Sequence, residues 1–562
     1  MISLPPFVLF YLAAAAALLL RGTPRAVLLV ATPLAGALNL WLLPADASVL
    51  LPFLETTLEP LRVDRLSQLF GYLFHLAALI GFVYALHVRD TLQHVSALLY
   101  VGSALGAVFA GDLLSFFLFW EAMAVSSVFL VWARGTPAAY SAGMRYLVIQ
   151  VTSGLLLLVG LLLHWRVTGS LEFDSIGTGH VSGWLMLFAL GLKAAFPLLH
   201  SWLIDAYPES TPTGTVFLSA FTTKVAIYAL ARGFPGTELL VYAGVTMACF
   251  PIYMAVVEND LRRVLAYSLV NQLGFMVVGI GIGTELAING AVAHAFTDVI
   301  FKGLLFMAMG AVLYRTGKIN GSELGGLYKT MPKTTVLCII GAASISAFPL
   351  FSGFVSKSMI MSAALKDGYD GAWLLLLFAS AGVFHHAGIK IPYFAFFAHD
   401  SGIRTSDPPG NMLLAMLIAA LLCIGIGVFP GMLYRALPFD VAYTPYDVTH
   451  VLTQLQLLVF SALAFVWLNK RGIYPPELNA VHLDVDWTYR RLLPRLAGPL
   501  FGAVAAADRG LRSLGGRAVT GVVAVARDLG SAGGVLSRQV GTGTMVTWVT
   551  LLLAIYLLLS FL

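Results

Sequence analysis

Apolar residues run through this chain in blocks of about 20, separated by short polar stretches, and a bilayer-spanning helix needs about 20 mostly apolar residues. That pattern predicts roughly 15 or 16 spanning segments. They lie near residues 5–20, 25–43, 67–87, 92–110, 112–132, 141–164, 181–200, 212–232, 237–257, 262–283, 286–314, 334–364, 371–398, 411–433, 449–468 and 541–562. The expected fold class is an all-α polytopic integral membrane protein. Composition agrees, since 59% hydrophobic and 11% charged residues over 562 positions leave more apolar surface than a water-soluble fold can hide. The first segment follows MISLPP, with no positive n-region and no small-residue cleavage site, so it reads as a retained helix.

Lys and Arg are spread unevenly over the short loops. Arg21, Arg25, Arg89, Arg134, Arg262, Arg263, Arg315, Lys318, Lys329, Lys333, Arg404, Lys470 and Arg471 fall on one side; Arg62, Arg65, Arg166, Arg232, Lys366 and Arg435 fall on the other. The richer side is expected inside, which puts the N-terminus outside. The net charge of +5 is thereby a topology signal, and nothing in it calls for nucleic acid. Cys249, Cys338 and Cys423 lie within or at the edge of apolar segments without CxxC spacing, and read as packing residues.

Charges inside the apolar segments change the picture. GLKAAFPLLHSWLIDAYPESTPTGTVFLSAFTTKVAIYAL buries Lys193, breaks at Pro197, Pro208, Pro212 and Gly214, and then buries Lys224. A charge near a bilayer centre costs at least about 2.5 kcal/mol, so it faces a bundle interior, water or a partner. Broken helices at that depth are tolerated only where protein or a wet cavity satisfies the freed backbone. An ion path is the expected use. SISAFPLFSGFVSKSMIM repeats the punctuation with Pro349, Gly353 and Lys357, and the next segment carries Lys390. The lysine intervals are 31 residues (193 to 224) and 33 residues (357 to 390). The pairs lie five segments apart, which predicts two inverted five-helix repeats, roughly 92–232 and 237–398, of the kind that transporters use. Helices over 1–91 would precede them and helices over 411–468 would follow.

Glu121, within LLSFFLFWEAMAVSSVFL, needs a partner cation, and Lys193 is the candidate. His294, Asp298 and Lys302 are spaced i, i+4, i+8 on one helical stripe, which suits either a proton relay or a self-neutralised polar stripe. His200, seven residues after Lys193, is a further candidate. His385 and His386 read as packing residues. From 484 to 540 Arg mixes with Leu, Val and Ala, which predicts an amphipathic arm on the inner surface, its helices interrupted by glycine, before a terminal span over 541–562.

The motifs FWEAMAVSSVFLV, GLKAAFPLLHSWLIDAYPESTPTG, DLRRVLAYSLVNQLGFM, HAFTDVIFKGLLFMAMGA and FPLFSGFVSKSM resemble those of the proton-translocating antiporter family. That family includes the antiporter-like subunits of respiratory complex I, membrane-bound hydrogenases and Mrp-type cation/proton antiporters. The wording is most similar to the D-type subunit of Mrp antiporters. The resemblance implies two inverted half-channels joined by a hydrated axis. It implies Glu121 as channel glutamate, Lys193 as broken-helix lysine, Lys224 as the link between halves, His294 as relay histidine and Lys357 as terminal lysine. Lys390 rests on the repeat spacing alone. Gln272 stands where some members have histidine, and is a further path candidate. Asp298 stands where many have a second histidine; it would stabilise protonated His294 or offer an oxygen to a cation such as sodium, the former being favoured.

The expected function is a proton-translocating membrane subunit of a Mrp-type sodium/proton antiporter in a bacterial inner membrane. Its partners would be other membrane subunits, protons, sodium and the bilayer, with no cofactor, no metal site and no chemistry of its own. The alternatives are a pumping subunit of a redox complex, a proton-coupled inorganic carbon uptake subunit, or a scaffold.

Overall fold

A computed structural model describes residues 4–53, 56–440, 442–478, 483–531, 534 and 541–561. Among the described residues, thirteen helices are long and apolar enough to cross a membrane, and three shorter apolar helices, Pro6–Leu19, Val181–Lys193 and Pro332–Ile345, accompany them. Aspartates start several of these helices. Asp64, Asp90, Asp112, Asp260 and Asp447 each accept a backbone N–H of the first turn, satisfying donors that hydrocarbon would leave bare. The only strands among the described residues form a two-stranded antiparallel hairpin, Ser48–Phe53 with Thr56–Arg62. Apolar periodicity gave no sign of it.

Three expected segments are split. The segment expected over 181–200 ends as a helix at Lys193. The one expected over 212–232 is broken at Phe221 into Gly214–Ala220 and Thr222–Gly233. The one expected over 334–364 is divided into Pro332–Ile345 and Ser352–Lys366. A fourth, Asp370–Val383, runs into π-helical turns at Phe384–Ile389 and Tyr393–Phe397 that flank Lys390. Such turns loosen the backbone ladder, often at functional positions.

Two stretches of the chain share local geometry in the same order. Asp112 caps Leu113–Trp132 and bridges to Glu172, while Asp260 caps Leu261–Ile282 and bridges to Asn320. The helices that follow, Pro137–Thr168 and Glu285–Thr316, are both 32 residues long and both end on a left-handed glycine, Gly169 and Gly317. The breaks that come next read AFPL in each case. Their φ values are 60° at Ala195 and 70° at Leu198, then 56° at Ala347 and 74° at Leu350. No other non-glycine residue among the described ones has a positive φ, a conformation that costs about 1–3 kcal/mol and persists where its surroundings impose it. Phe196 N–H reaches back to Gly191 O, and Phe348 N–H to Ala343 O.

This recurrence corrects the correspondence drawn from lysine spacing. Counting from AFPL, Lys193 is matched by Ile345 and Lys357 by Asp205. What repeats is the break, and the ammonium comes from a different limb of it in each copy.

Residues Met1–His482 form one compact unit and Leu483–Leu562 a second. Within the second, a π-turn at Thr488–Leu492 leads into one helix of 38 residues, Leu493–Gly530. The expected glycine interruptions do not occur. Each glycine costs about 1 kcal/mol in a helix interior, too little to stop a run otherwise rich in Ala, Leu and Arg. Residues 532–533 and 535–540 of the expected arm lie outside the described residues, and Thr542–Ser560 forms the terminal helix.

Candidate functional site

The Glu121 helix, Leu113–Trp132, packs against Pro137–Thr168, where the carboxylate lies against Gly154 with no room for a Cβ. Glu121 Oε1 is buried and has no hydrogen-bond partner among the described residues. Lys193 is the last residue of its helix and almost fully buried. Its Nζ donates to Trp120 O at 2.7 Å and lies 4.0 Å from the centre of the Trp120 ring. Among the described residues Glu121 and Lys193 form no ion pair. The expected partner sits instead on the residue before Glu121, held by a carbonyl and a ring face, both of which favour a cation. His200 follows the break, buried, with its ring 4.7 Å from that of Phe250.

Lys224 lies in the first turn of the second limb of its broken segment, just after Phe221 interrupts the helix. Its ammonium meets Asp298 Oδ2 at 2.6 Å, with neither side chain exposed, and donates to Ser219 O at 3.3 Å. Asp298 thus pairs with Lys224, and the expectation that it stabilises His294 does not hold. One helical turn along Glu285–Thr316 from each other, the two side chains have different neighbours. Asp298 is also the carboxylate within electrostatic reach of Lys302 and Lys357, so the stripe is partly neutralised by a cation from another helix.

His294 is fully buried. Its Nδ1 lies 2.9 Å from Ser356 Oγ, and its Nε2 lies 3.1 Å from Gln272 Oε1. Gln272 Nε2 donates to Asn271 Oδ1 at 2.6 Å, which leaves Oε1 to accept from His294. Nε2 therefore carries the proton in the neutral ring, and Nδ1 accepts from Ser356. Ser356 also has Thr297 Oγ1 at 2.8 Å and Ser352 O at 3.3 Å. Its hydroxyl can turn to either, so that a protonated ring donates to Ser356 without loss of a partner. The network accommodates both charge states.

Lys302, buried, donates to Ser268 Oγ at 2.8 Å. Lys357 reaches back across its break to Ile345 O at 2.9 Å and lies 5.0 Å from the centre of the Phe275 ring. Gly353 allows that fold, because a Cβ at this position would collide with Ser344 O. Lys390 donates to Val256 O at 2.7 Å and Glu258 O at 2.6 Å and pairs with Glu477 at 2.9 Å. Lys302 and Lys357 each have one such partner and keep donors to spare, whereas the three partners of Lys390 take up all of its N–H groups.

Several members of this array lie outside the sequence reading. Glu477, 5% exposed at its side chain, lies in a loop that the pattern of apolar segments does not mark. Ser268, Thr297 and Ser356 are small hydroxyls whose partners become visible only in the packed helices. Arg262 reads as a loop charge yet is fully buried, gathering the carbonyls of Tyr207, Pro208, Ser210 and Thr211 and the hydroxyl of Thr215. His386 is fully buried, packed as expected.

Residues 110–385 match the family described as NADH:quinone oxidoreductase/Mrp antiporter, transmembrane. Over 350 residues the chain is 31% identical to the D-type subunit of an Na(+)/H(+) antiporter of Alkalihalophilus pseudofirmus, covering 58% of this chain and 70% of that protein. It is 30% identical over 406 residues to the probable A/B-type subunit of a K(+)/H(+) antiporter of Rhizobium meliloti, covering 66% of this chain and 40% of that one. With hydrogenase-4 component B of Escherichia coli it shares 28% identity over 417 residues, covering 66% of this chain and 62% of the relative. The chain therefore spans less than two thirds of the length of the latter two. Its fold is shared with a chain of the Mrp complex from Dietzia sp. at TM-score 0.77 and 23% identity, covering 92% of this chain and 62% of that one. It is also shared with a chain of respiratory complex I from Thermus thermophilus at TM-score 0.69 and 21% identity, covering 82% and 99%.

Proposed function

We propose, for a chain that belongs to the NADH:quinone oxidoreductase/Mrp antiporter family of membrane proteins, that it carries protons across a bacterial inner membrane as one subunit of a monovalent cation/proton antiporter. The observation that carries this reading is the buried line of titratable groups, with Lys224 and Asp298 at 2.6 Å in its middle. Charges buried this deeply are expensive and mark ion pathways. In the proposed path Glu121 and Lys193 load and gate the first half, and they act on each other without a fixed ion pair. Lys224 hands charge to Asp298. His294, with Gln272 and Ser356, and Lys302 relay it, Lys357 ends the line, and Lys390 with Glu477 forms a side branch. His200 beyond the first break extends the Lys193 end.

Similarity to the D-type subunit of an Na(+)/H(+) antiporter over 70% of its length supports sodium as the coupled ion, with other membrane subunits supplying the rest of the machinery. On this reading the protein is a transporter component with no redox or hydrolytic step of its own. A second reading, a proton-pumping subunit of a redox complex, draws on the likeness to hydrogenase-4 component B. Inverted vesicles containing the whole complex separate them. Added sodium that collapses a pre-formed pH gradient in the wild type, and fails to do so in Glu121→Ala and Lys193→Ala, is the expected result. A gradient that responds only to an electron donor favours the second reading.

A further inference from the structure

Lys357 does not end in solid protein. It lines a cavity of about 280 Å³ together with Ser358, Ser362, Thr449, His450 and Gln454. Apolar side chains such as Phe275, Phe354, Met361 and Trp373 make up most of its wall, and a single water needs only about 10–15 Å³ measured this way, so there is room for several waters along its polar members. Ser362 and His450 join the cavity to a second polar group. His450 Nε2 lies 3.0 Å from Ser362 Oγ, and His450 Nδ1 lies 2.7 Å from Asp447 Oδ2. The His450 side chain is 31% exposed and that of Asp447 is 48% exposed, whereas Lys357 is 3% exposed. Asp447 is fixed in turn as the cap of Val448–Lys470, accepting the backbone N–H of His450 at 2.8 Å. Lys470 and Arg471 stand at the far end of this 23-residue helix, which is long enough to span the bilayer. An imidazole beside a carboxylate at one surface, a cavity with room for water and a buried ammonium thus stand in series.

We propose that His450, positioned by Asp447, is the port through which the Lys357 end of the proton path meets the aqueous face opposite Lys470 and Arg471. The inference rests on the proton-path reading of Lys357 given above. A proton leaving Lys357 passes to cavity water and reaches Nε2 through the Ser362 hydroxyl. The opposite nitrogen, itself buried, passes its proton to the Asp447 carboxylate, which is exposed to solvent, and transfer in the other direction reverses each step. Imidazole suits this work because its two distinct nitrogens let it take a proton on one side and give one up on the other. The groups facing His450 are Asp447 on its own helix, Tyr443 in the preceding loop and Ser362 on Ser352–Lys366. Lys357 and Lys366, on the same helix as Ser362, line the cavity.

The test measures cation-driven proton flux in inverted vesicles holding the whole complex, comparing wild type, His450→Ala, His450→Gln and Glu121→Ala, each without and with added imidazole. Substitution at 450 keeps the backbone N–H that caps the helix, and Gln keeps a side-chain partner for Ser362, so assembly is preserved in at least one variant. Both position-450 variants are expected to lose flux by about tenfold or more, the lower range of what a positioned proton-transfer group contributes. Imidazole restores much of the flux in His450→Ala, as a purely structural role would not allow. Wild-type flux in the 450 variants, or a loss that imidazole leaves untouched in an assembled complex, overturns the port. If Glu121→Ala is inactive while the 450 variants match the wild type, the port alone is wrong. If Glu121→Ala is also unaffected, the whole proton path falls and takes the port with it.

Discussion

Asp298 and Lys224 meet at 2.6 Å with no exposed side-chain surface on either, joining a helix of the second geometric copy to the broken segment that closes the first. Removing one member of a buried pair leaves an uncompensated charge and costs about 3–5 kcal/mol, whereas replacing both by apolar residues of similar volume is often neutral. Lys224→Met and Asp298→Leu should each lower the thermal stability of the purified complex, and the double variant should recover most of it. A double-variant loss equal to the sum of the singles would show that the pair is not coupled.

Gly154 gives the Glu121 carboxylate its place, since a Cβ there would collide with it. Gly154→Ala should displace the carboxylate and slow proton flux severalfold with assembly intact. Gly303→Ala is the control, because a Cβ at that position meets nothing within 4 Å. Equal behaviour of the two variants in a flux assay would remove Glu121 from the path.

Glu477 makes a pH prediction. Burial raises its carboxyl above the ordinary value, and Lys390 opposes the shift. A carboxyl raised on folding stabilises the folded state when protonated. That contribution is complete below its ordinary value of 4.5 and is lost as pH rises through the folded value. Hydrogen-exchange protection of residues 471–478 should therefore fall as pH rises from mildly acid to neutral, and should be flat in Glu477→Gln. Protection that rises with pH in the wild type would contradict the sign.

Arg262 should behave as a structural residue. Its guanidinium serves the carbonyls of Tyr207, Pro208, Ser210 and Thr211, and each buried acceptor left without a donor costs about 1–3 kcal/mol. Arg262→Ala should abolish accumulation of the complex in membranes, measured by immunoblot, and Arg262→Lys should not rescue it, because one ammonium cannot span the fork. Full accumulation of either variant would contradict this.

How far the sequence revealed all this depended on what carried the signal. Apolar runs marked the spanning helices, and misplaced lysines marked the line, because a charge in hydrocarbon stands out by itself. Pairing was less visible. Lys193 was expected on Glu121 and lies on Trp120, and Asp298 was expected beside His294 and lies on Lys224. Those choices are made between helices distant in sequence, where periodicity is silent. The shared break geometry at Ala195 and Ala347 was legible as AFPL, yet the lysines, which stand out more, suggested a different register. Glu477 and His450 lie in polar surroundings of ordinary composition, and only packing gives them neighbours.

The most direct measurement is the sodium-driven proton flux of the Lys224→Met, Asp298→Leu double variant in inverted vesicles, read beside the amount of assembled complex. The account predicts a complex that assembles like the wild type and exchanges no protons, because an apolar pair restores the packing and breaks the line. A double variant that assembles and exchanges at the wild-type rate would show that the buried charges only hold the helices together.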